Sequence, residues 1–152
     1  MPHIHDLVDF TVAALIIHGG RVLLVNHKKY SLWLPPGGHV ELDEDTDEAL
    51  FREIYEETGL TADQLEVLSE RPRFGDRKSL WPPRWMNIHR INDHHRHIVL
   101  VYVLSSKSGT VCLADSAHND IKWFDAAALD NQELNTTPDV RFYGKEAIHL
   151  AS

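Results

Sequence analysis

The sequence predicts a single mixed α/β domain of the α+β kind, with strands interleaved with two helices. Two apolar runs flank His18-Gly19-Gly20-Arg21, so residues 7–27 are expected to form a β-hairpin. Residues 97–104 are apolar after the first position, which is typical of a buried central strand. The 152-residue chain contains no internal repeat, low-complexity segment or linker, so we expect one domain over residues 1–152.

Shorter signals give the remaining elements. Trp33-Leu34 runs into Pro35-Pro36, which prevents further strand pairing. Thr137 before Pro138 is typical of a helix start, and it predicts a final helix near residues 138–150 in spite of Gly144. Residues 71–94 form an insertion with little periodicity, and we expect its middle, Trp81-Pro82-Pro83-Arg84-Trp85, to be irregular or extended. Further strands are expected at 65–68 and 120–124, with a helical turn at 126–129.

The first helix has clear start and stop signals. Asp45 is suited to the N-cap and Glu48 completes a capping box. Gly59 is suited to the left-handed position after the last turn, with apolar Leu60 following it. The sequence therefore predicts a helix from about residue 46 to residue 58, with an apolar stripe formed by Ala49, Leu50 and Ile54.

The opposite face of this helix is acidic. Glu53, Glu56 and Glu57 stand at spacings of three and four, so their carboxylates converge, and Arg52 can relieve the repulsion through Glu48 and Glu56. A compact set of carboxylate oxygens favours Mg²⁺ or Mn²⁺ beside substrate phosphates. A solvated acidic helix face is the alternative.

The spacing around these glutamates resembles the signature of the Nudix hydrolases. Gly38, five residues, Glu44, seven residues and then Arg52-Glu53-Ile54-Tyr55-Glu56-Glu57-Thr58-Gly59-Leu60 match it at every defined position. The resemblance implies a mixed β-sheet sandwiched between helices. It also implies metal-dependent hydrolysis of a nucleoside diphosphate linked to another moiety X, with water attacking a phosphorus of the pyrophosphate.

The resemblance implies a role for each matching residue. Glu56 and Glu57 correspond to the principal metal ligands, and Glu53 to a further ligand or to the base that orients water. A backbone carbonyl at Gly37 or Gly38 is a further expected ligand, and Glu44 and Arg52 are expected to position the loop against the helix. Glu41 is either near the metal or solvated. A later glutamate of related sequences is replaced here by Ala117-His118, which leaves Asp115 and Asp120 as substitutes.

Substrate contacts are predicted from cations and aromatic rings outside the signature. Charged pairs to phosphate are strong and rings stack on bases. The alternative for the rings is packing of the long loop onto the sheet. The substrate-binding residues expected are Lys28, Lys29, Arg84, Trp81 and Trp85, with Phe74 as a further ring.

No signature for ADP-ribose, NADH, coenzyme A or dinucleoside polyphosphates follows Leu60, which favours a nucleoside triphosphate or another small nucleotide as substrate. The alternatives are an ADP-ribose, dinucleoside polyphosphate or RNA 5′-end hydrolase, and a non-catalytic nucleotide sensor. The three glutamates disfavour a sensor, which has no chemical need of them.

The histidines of the insertion raise the question of a zinc site. His89, His94, His95 and His97 are close in sequence, but no cysteine or fixed helical spacing accompanies them. We therefore expect His97 to begin the central strand and the other three to lie in the loop.

Charge and composition limit the partners. The net charge of −8 argues against nucleic acid as a partner, although residues 71–97 carry about +5 and leave about −13 elsewhere. No apolar run is long enough to cross a bilayer and no secretory signal is recognisable, so neither a membrane nor secretion is expected. The single cysteine, Cys112, suits the reducing cytoplasm and is expected to be buried and inert. Exposed strand edges and tryptophans would permit a homodimer.

Overall fold

The computed structural model describes residues 5–113 and 117–152, and within them it contains eight strands and three helices. In chain order the elements are β1 Val8–His18, β2 Arg21–His27, β3 Leu32–Leu34, β4 Gly37–His39, α1 Thr46–Thr58, β5 Leu65–Val67, β6 Trp85–Arg90, β7 Arg96–Ser106, β8 His118–Phe124, α2 Ala126–Asp130 and α3 Pro138–Leu150. A single 3₁₀ turn, Ala62–Gln64, leads into β5.

A mixed sheet is built around the parallel pair of β1 and β7. All other pairings are antiparallel: β5 and β6 follow one another along the free edge of β7, and β8 pairs with β2. β1 and β2 pair with each other only next to their turn and separate beyond it. There β4 pairs with the open edge of β1, and β3 pairs with the open edge of β2. This split brings β4, which contains Gly37 and the first signature residue, Gly38, onto the first half of β1.

Alternate residues of the central strands enter two separate cores. On one face Ile16, Leu23 and Tyr102 pack with α1. On the other face Leu15, Leu24 and Val103 pack with Leu129 of α2 and with Val140 and Ala147 of α3. Because successive strand residues point to opposite faces, a sheet covered on both sides needs apolar residues at nearly every position. The expected mixed sheet between helices is confirmed.

Most of the predicted elements are present. Gly19 and Gly20 both have positive φ, 59° and 74°, as the two-residue turn of the predicted hairpin requires. α3 begins with Pro138 and ends at Leu150, although the side chain of Thr137 makes no capping hydrogen bond.

Two expectations are wrong. His89, expected in a loop, lies in a strand within the insertion that pairs with β7, namely β6. Its outward residues Met86 and Ile88 are 58% and 51% exposed, so β6 lacks the continuous apolar pattern of the central strands. Cys112 is exposed rather than buried, because the chain after β7 crosses the surface beside Gly59. Among the described residues, no helix combines the length and apolar character needed to span a membrane.

Candidate active site

Helix α1 positions the three signature glutamates, and its ends are fixed as predicted. The Asp45 carboxylate accepts a hydrogen bond from the Glu48 N–H at 2.9 Å, and the Glu48 carboxylate accepts one from the Asp45 N–H at 3.1 Å. Gly59 ends the helix with φ of 77°. The stripe of Ala49, Leu50 and Ile54 is completely buried against the sheet. The polar face of α1 is therefore held in a defined position beside β4.

The glycines of β4 allow the helix to approach closely. A Cβ atom at Gly38 would lie 2.4 Å from Oε1 of Glu53, and one at Gly37 would lie 2.0 Å from the carbonyl oxygen of Val12. The Gly37 N–H points at Oε2 of Glu57 at 3.4 Å. Only glycine leaves room for the carboxylates against this strand.

The three glutamates have different environments. Glu53 and Glu57 are 4% and 5% exposed, whereas the side chain of Glu56 is 52% exposed. Burial raises the pKa of Glu53, although its hydrogen bonds with Arg52 and Glu57 oppose the shift. Two buried carboxylates in hydrogen-bonding contact, with a third at the surface, form a set of hard oxygen donors. That donor set fits a divalent cation such as Mg²⁺ or Mn²⁺.

Arg52 of α1 binds Glu44 and so connects the helix to the loop between β4 and α1. Its Nε and Nη2 atoms donate to the two oxygens of Glu44 at 2.9 and 2.6 Å. Nη2 also donates to the carbonyl of His39 at 2.9 Å, and Nη1 donates to Glu53 at 2.9 Å. These contacts lower the pKa of Glu44 and raise that of Arg52. A bidentate pair of this kind fixes orientation as well as charge.

Arg52 was predicted to offset the repulsion between the glutamates of α1 by pairing with Glu48 and Glu56, and only the pair with Glu56 is confirmed. Arg52 reaches Glu56, with Nη1 at 3.3 Å from Oε2. Its expected pairing with Glu48 is wrong, because the Glu48 carboxylate is bonded to the Asp45 backbone as a helix cap. Glu44, from the loop before the helix, takes that place.

Of the three other acidic residues named as candidates, the structure describes Glu41 and Asp120. The side chain of Glu41 is 56% exposed and 3.9 Å from Arg52, and its N–H donates to Glu44. Asp120 makes its contacts within β8, with the Ile121 N–H at 2.8 Å and Lys122 at 3.6 Å. Asp115 lies outside the described residues.

The residues predicted to bind substrate do not form one group. Trp85 packs on Tyr143 of α3 with ring centroids 4.9 Å apart, and Arg84 lies 5.5 Å from the Trp85 ring. This contact belongs to the face of the sheet opposite α1. Lys28 and Lys29 follow β2, where the Lys28 N–H donates to Ala117. Phe74 is 63% exposed within the insertion.

Trp81 does lie beside α1, where it is held by Asp47, a residue for which the sequence analysis predicted no role. Oδ1 of Asp47 accepts a hydrogen bond from the Trp81 N–H at 3.0 Å, and Oδ2 accepts one from Arg71 at 3.2 Å. The Arg71 guanidinium stacks on Trp81 at 4.0 Å from the ring centroid. Asp47 is 6% exposed and anchors the insertion to the first turn of the helix. An acidic residue in a first turn ordinarily serves the helix dipole, so the sequence carried no signal for this role.

The arrangement matches a known family. A family model described as "NUDIX domain" matches residues 9–143. The chain belongs to the NUDIX family. A crystal structure of a NUDIX-family hydrolase from Clostridium perfringens shares 28% sequence identity with a TM-score of 0.82, covering 95% of this chain and 98% of that one.

Curated relatives cover the family more broadly. The zebrafish (Danio rerio) "m7GpppN-mRNA hydrolase NUDT17" is 38% identical over 109 residues, which is 68% of this chain and 34% of that protein. A "Putative 8-oxo-dGTP diphosphatase" from Bacillus subtilis is 38% identical over 77 residues, 47% of this chain and 52% of that protein. This chain therefore matches about a third of the first relative and about half of the second.

Proposed function

We propose that this NUDIX protein is a divalent-metal-dependent pyrophosphohydrolase acting on a nucleoside diphosphate linked to another moiety, most simply a nucleoside triphosphate or another small nucleotide. The observation that carries the proposal is the buried pair Glu53 and Glu57 against glycine strand β4, with Glu56 beside them at the surface. Buried carboxylates in contact are costly unless a cation or proton compensates them. A pure nucleotide binder has no chemical need of all three.

Each residue has a part in the proposed reaction. Glu56, Glu57 and the Gly38 carbonyl would hold Mg²⁺ or Mn²⁺, which supplies charge neutralisation to the phosphates and lowers the pKa of a water. Glu53 orients the attacking water and takes its proton as the new P–O bond forms and the bridging P–O bond breaks. Its raised pKa makes it a better proton acceptor than a solvated glutamate. Arg52 and Glu44 hold Glu53 and the loop in position.

A second substrate class is favoured by a specific likeness. The zebrafish relative is named as an mRNA cap hydrolase and shares 38% identity over 109 residues. A capped RNA 5′ end contains a nucleoside diphosphate linked to X, so it requires the same bond cleavage. The basic segment of residues 71–97 would suit its phosphates, whereas the net charge of −8 opposes general nucleic-acid binding.

The test is a substrate screen of the purified protein with Mg²⁺. The panel comprises nucleoside triphosphates, 8-oxo-dGTP, nucleotide sugars, ADP-ribose, dinucleoside polyphosphates and m7GpppN-capped RNA, with products resolved by chromatography. We expect one preferred class. Glu57→Gln should reduce its turnover by about 100-fold or more, because it removes a ligand charge and little packing.

Two controls sharpen the screen. Glu66→Gln changes an exposed glutamate in β5 and should leave turnover unchanged. Circular dichroism should show that Glu57→Gln remains folded. Turnover that survives Glu57→Gln would contradict the assigned site, and nucleotide binding without any turnover would indicate a sensor instead of an enzyme.

A further inference from the structure

A second cluster of ligating side chains lies at the start of the two central strands, separate from the carboxylates of α1. Asp9 of β1 is paired with His97 of β7 in the sheet register. His39 of β4 lies beside Thr11 of β1, and His95 immediately precedes β7. Three strands and one connecting segment thus bring an aspartate and three histidines together.

One carboxylate oxygen is the centre of this histidine cluster, which we define as Asp9, His39, His95 and His97. The Nε2 atoms of His39, His95 and His97 lie 3.0, 3.2 and 3.9 Å from Oδ2 of Asp9. The other carboxylate oxygen accepts a hydrogen bond from the His5 N–H at 2.6 Å. Asp9 is completely buried and His95 is 3% exposed. A buried carboxylate surrounded by imidazole nitrogens requires a compensating positive charge.

The hydrogen-bond partners of the two His95 ring nitrogens indicate where the positive charge lies. Its Nδ1 lies 3.0 Å from the carbonyl oxygen of Asp6, which can only accept, so Nδ1 carries a hydrogen. Nε2 then faces the Asp9 carboxylate, and either a proton on Nε2 or a metal ion between the two atoms makes this contact favourable. A ring nitrogen that donates to a backbone carbonyl while the other binds an ion is the usual arrangement of a metal-ligating histidine.

The distances fit a small coordination sphere. The ligating atoms of Asp9, His95 and His97 all lie within 4.8 Å of one another. Ligands in a tetrahedral site with bonds of about 2.0–2.1 Å are separated by about 3.3 Å. The contacts of Asp9 Oδ2 at 3.0, 3.2 and 3.9 Å bracket that separation. We propose that Asp9, His95 and His97 bind a divalent transition-metal ion, with Zn²⁺ the best fit. His39 lies outside this compact group, with its Nε2 atom 3.0 Å from Oδ2 of Asp9, and would turn toward the ion to become the fourth ligand.

The donor set distinguishes this ion from the one proposed for the active site. Imidazole nitrogens suit Zn²⁺ and its neighbours, whereas Mg²⁺ prefers oxygen ligands throughout. A histidine binds a metal ion through a neutral ring nitrogen, and the Nε2 atom of His97 lies 3.9 Å from Oδ2 of Asp9. Four buried or nearly buried protein ligands leave no position for substrate, which indicates a structural ion.

One residue of the histidine cluster, His39, is adjacent in sequence to Gly38 of the proposed active site. His39 follows Gly38 in β4, and its carbonyl accepts a hydrogen bond from Arg52. Fixing the His39 side chain would hold β4, and with it the glycine surface against which Glu53 packs. The ion would join β1, β4 and β7 at the end of the sheet that supports the signature loop.

Metal binding can be measured without any hydrolysis assay. Protein stripped with a chelator is titrated with Co²⁺ and then Zn²⁺ in the Glu53→Gln/Glu57→Gln background, which removes the carboxylate site. We expect one ion per chain with the visible absorption of four-coordinate Co²⁺, displaced by Zn²⁺. Asp9→Asn and His97→Gln should weaken the affinity by more than about 100-fold, since loss of an outer-shell partner alone costs 10–100-fold.

His94→Gln is the matched control, because His94 is exposed and belongs to the same histidine-rich segment without joining the histidine cluster. It should bind Co²⁺ like the parent. Circular dichroism identifies any variant that fails to fold. If a variant does not fold, the visible absorption of Co²⁺ bound to the parent protein tests the proposal without it. Absence of a bound ion in the folded parent, or equal affinity in His97→Gln and His94→Gln, would overturn the proposal and leave a hydrogen-bonded polar cluster only.

Discussion

At the scale of single residues, Gly38 leaves the space that the Glu53 carboxylate occupies. A Cβ atom at position 38 would lie 2.4–2.9 Å from the three atoms of the Glu53 carboxylate. A glutamate side chain can move aside, whereas the backbone that faces Gly37 cannot. The two adjacent glycines should therefore respond differently to the same substitution.

Gly38→Ala is expected to displace the Glu53 carboxylate and to reduce turnover by about 10-fold or more, with little loss of stability. Gly37→Ala is the contrasting variant: its Cβ would lie 2.0 Å from a backbone oxygen, so it should lower the free energy of unfolding by several kcal/mol. Turnover and urea denaturation of both variants measure the difference. Wild-type activity in folded Gly38→Ala would contradict the packing argument.

Local patterns in the sequence were enough to predict helix α1 and the faces it presents. The caps, the apolar stripe and the converging glutamates all depend on residues within one or two helical turns. The partner of Arg52 was less predictable, because Glu48 satisfied the same spacing rule and was already used as a cap. The histidine cluster could not be predicted from local sequence patterns, because Asp9 and His95 are 86 positions apart. Only the register of β1 with β7 brings them together.

At the scale of elements, α3 was predicted from its proline start, and its one weak point has a packing reason. Gly144 costs helix propensity, but a Cβ there would lie 2.8 Å from Cδ1 of Leu129, which is completely buried. Glycine lets α3 approach α2. β6 was missed for the opposite reason: it is an edge strand with polar and apolar residues on an exposed face, and two prolines precede it.

Gly144→Ala is expected to destabilise the protein by about 1–2 kcal/mol, because overpacking against Leu129 exceeds the gain of about 1 kcal/mol in helix propensity. Urea denaturation provides the measurement. The double variant Gly144→Ala/Leu129→Val should lose less than the sum of the two single changes, since the shorter side chain makes room for the new methyl group. A stabilised Gly144→Ala would show that α2 and α3 can separate at no cost.

At the scale of the whole molecule, stability should be concentrated where both faces of the sheet are covered. Residues 14–17 and 101–104 are buried on both sides, whereas β6 and the insertion are largely exposed. The mixed sheet and its two helical layers follow from the apolar strands and the family signature. The split between β1 and β2, which admits β3 and β4, has no counterpart in the sequence pattern because strand pairing is a long-range property.

Native-state hydrogen exchange should reveal this distribution. We expect the amides of residues 14–17 and 101–104 to exchange only through global unfolding, with those of β6 exchanging faster and those of residues 71–80 fastest. Mass spectrometry of peptides after timed exchange would measure the three classes. Equal protection of β6 and β7 would contradict this order and indicate that a partner or a neighbouring copy covers β6.

The parallel pairing of β1 with β7 also has a consequence for synthesis of the chain. β1 leaves the ribosome before β7, the strand that completes its pairing, which ends at Ser106. Until then its apolar residues and its unpaired edge are exposed to other chains in the cell. A fold with so distant a central pairing assembles late and slowly compared with one built from neighbouring strands. We therefore expect the β1–β2 hairpin to remain exposed to aggregation while the segment from His27 to Ser106 is made.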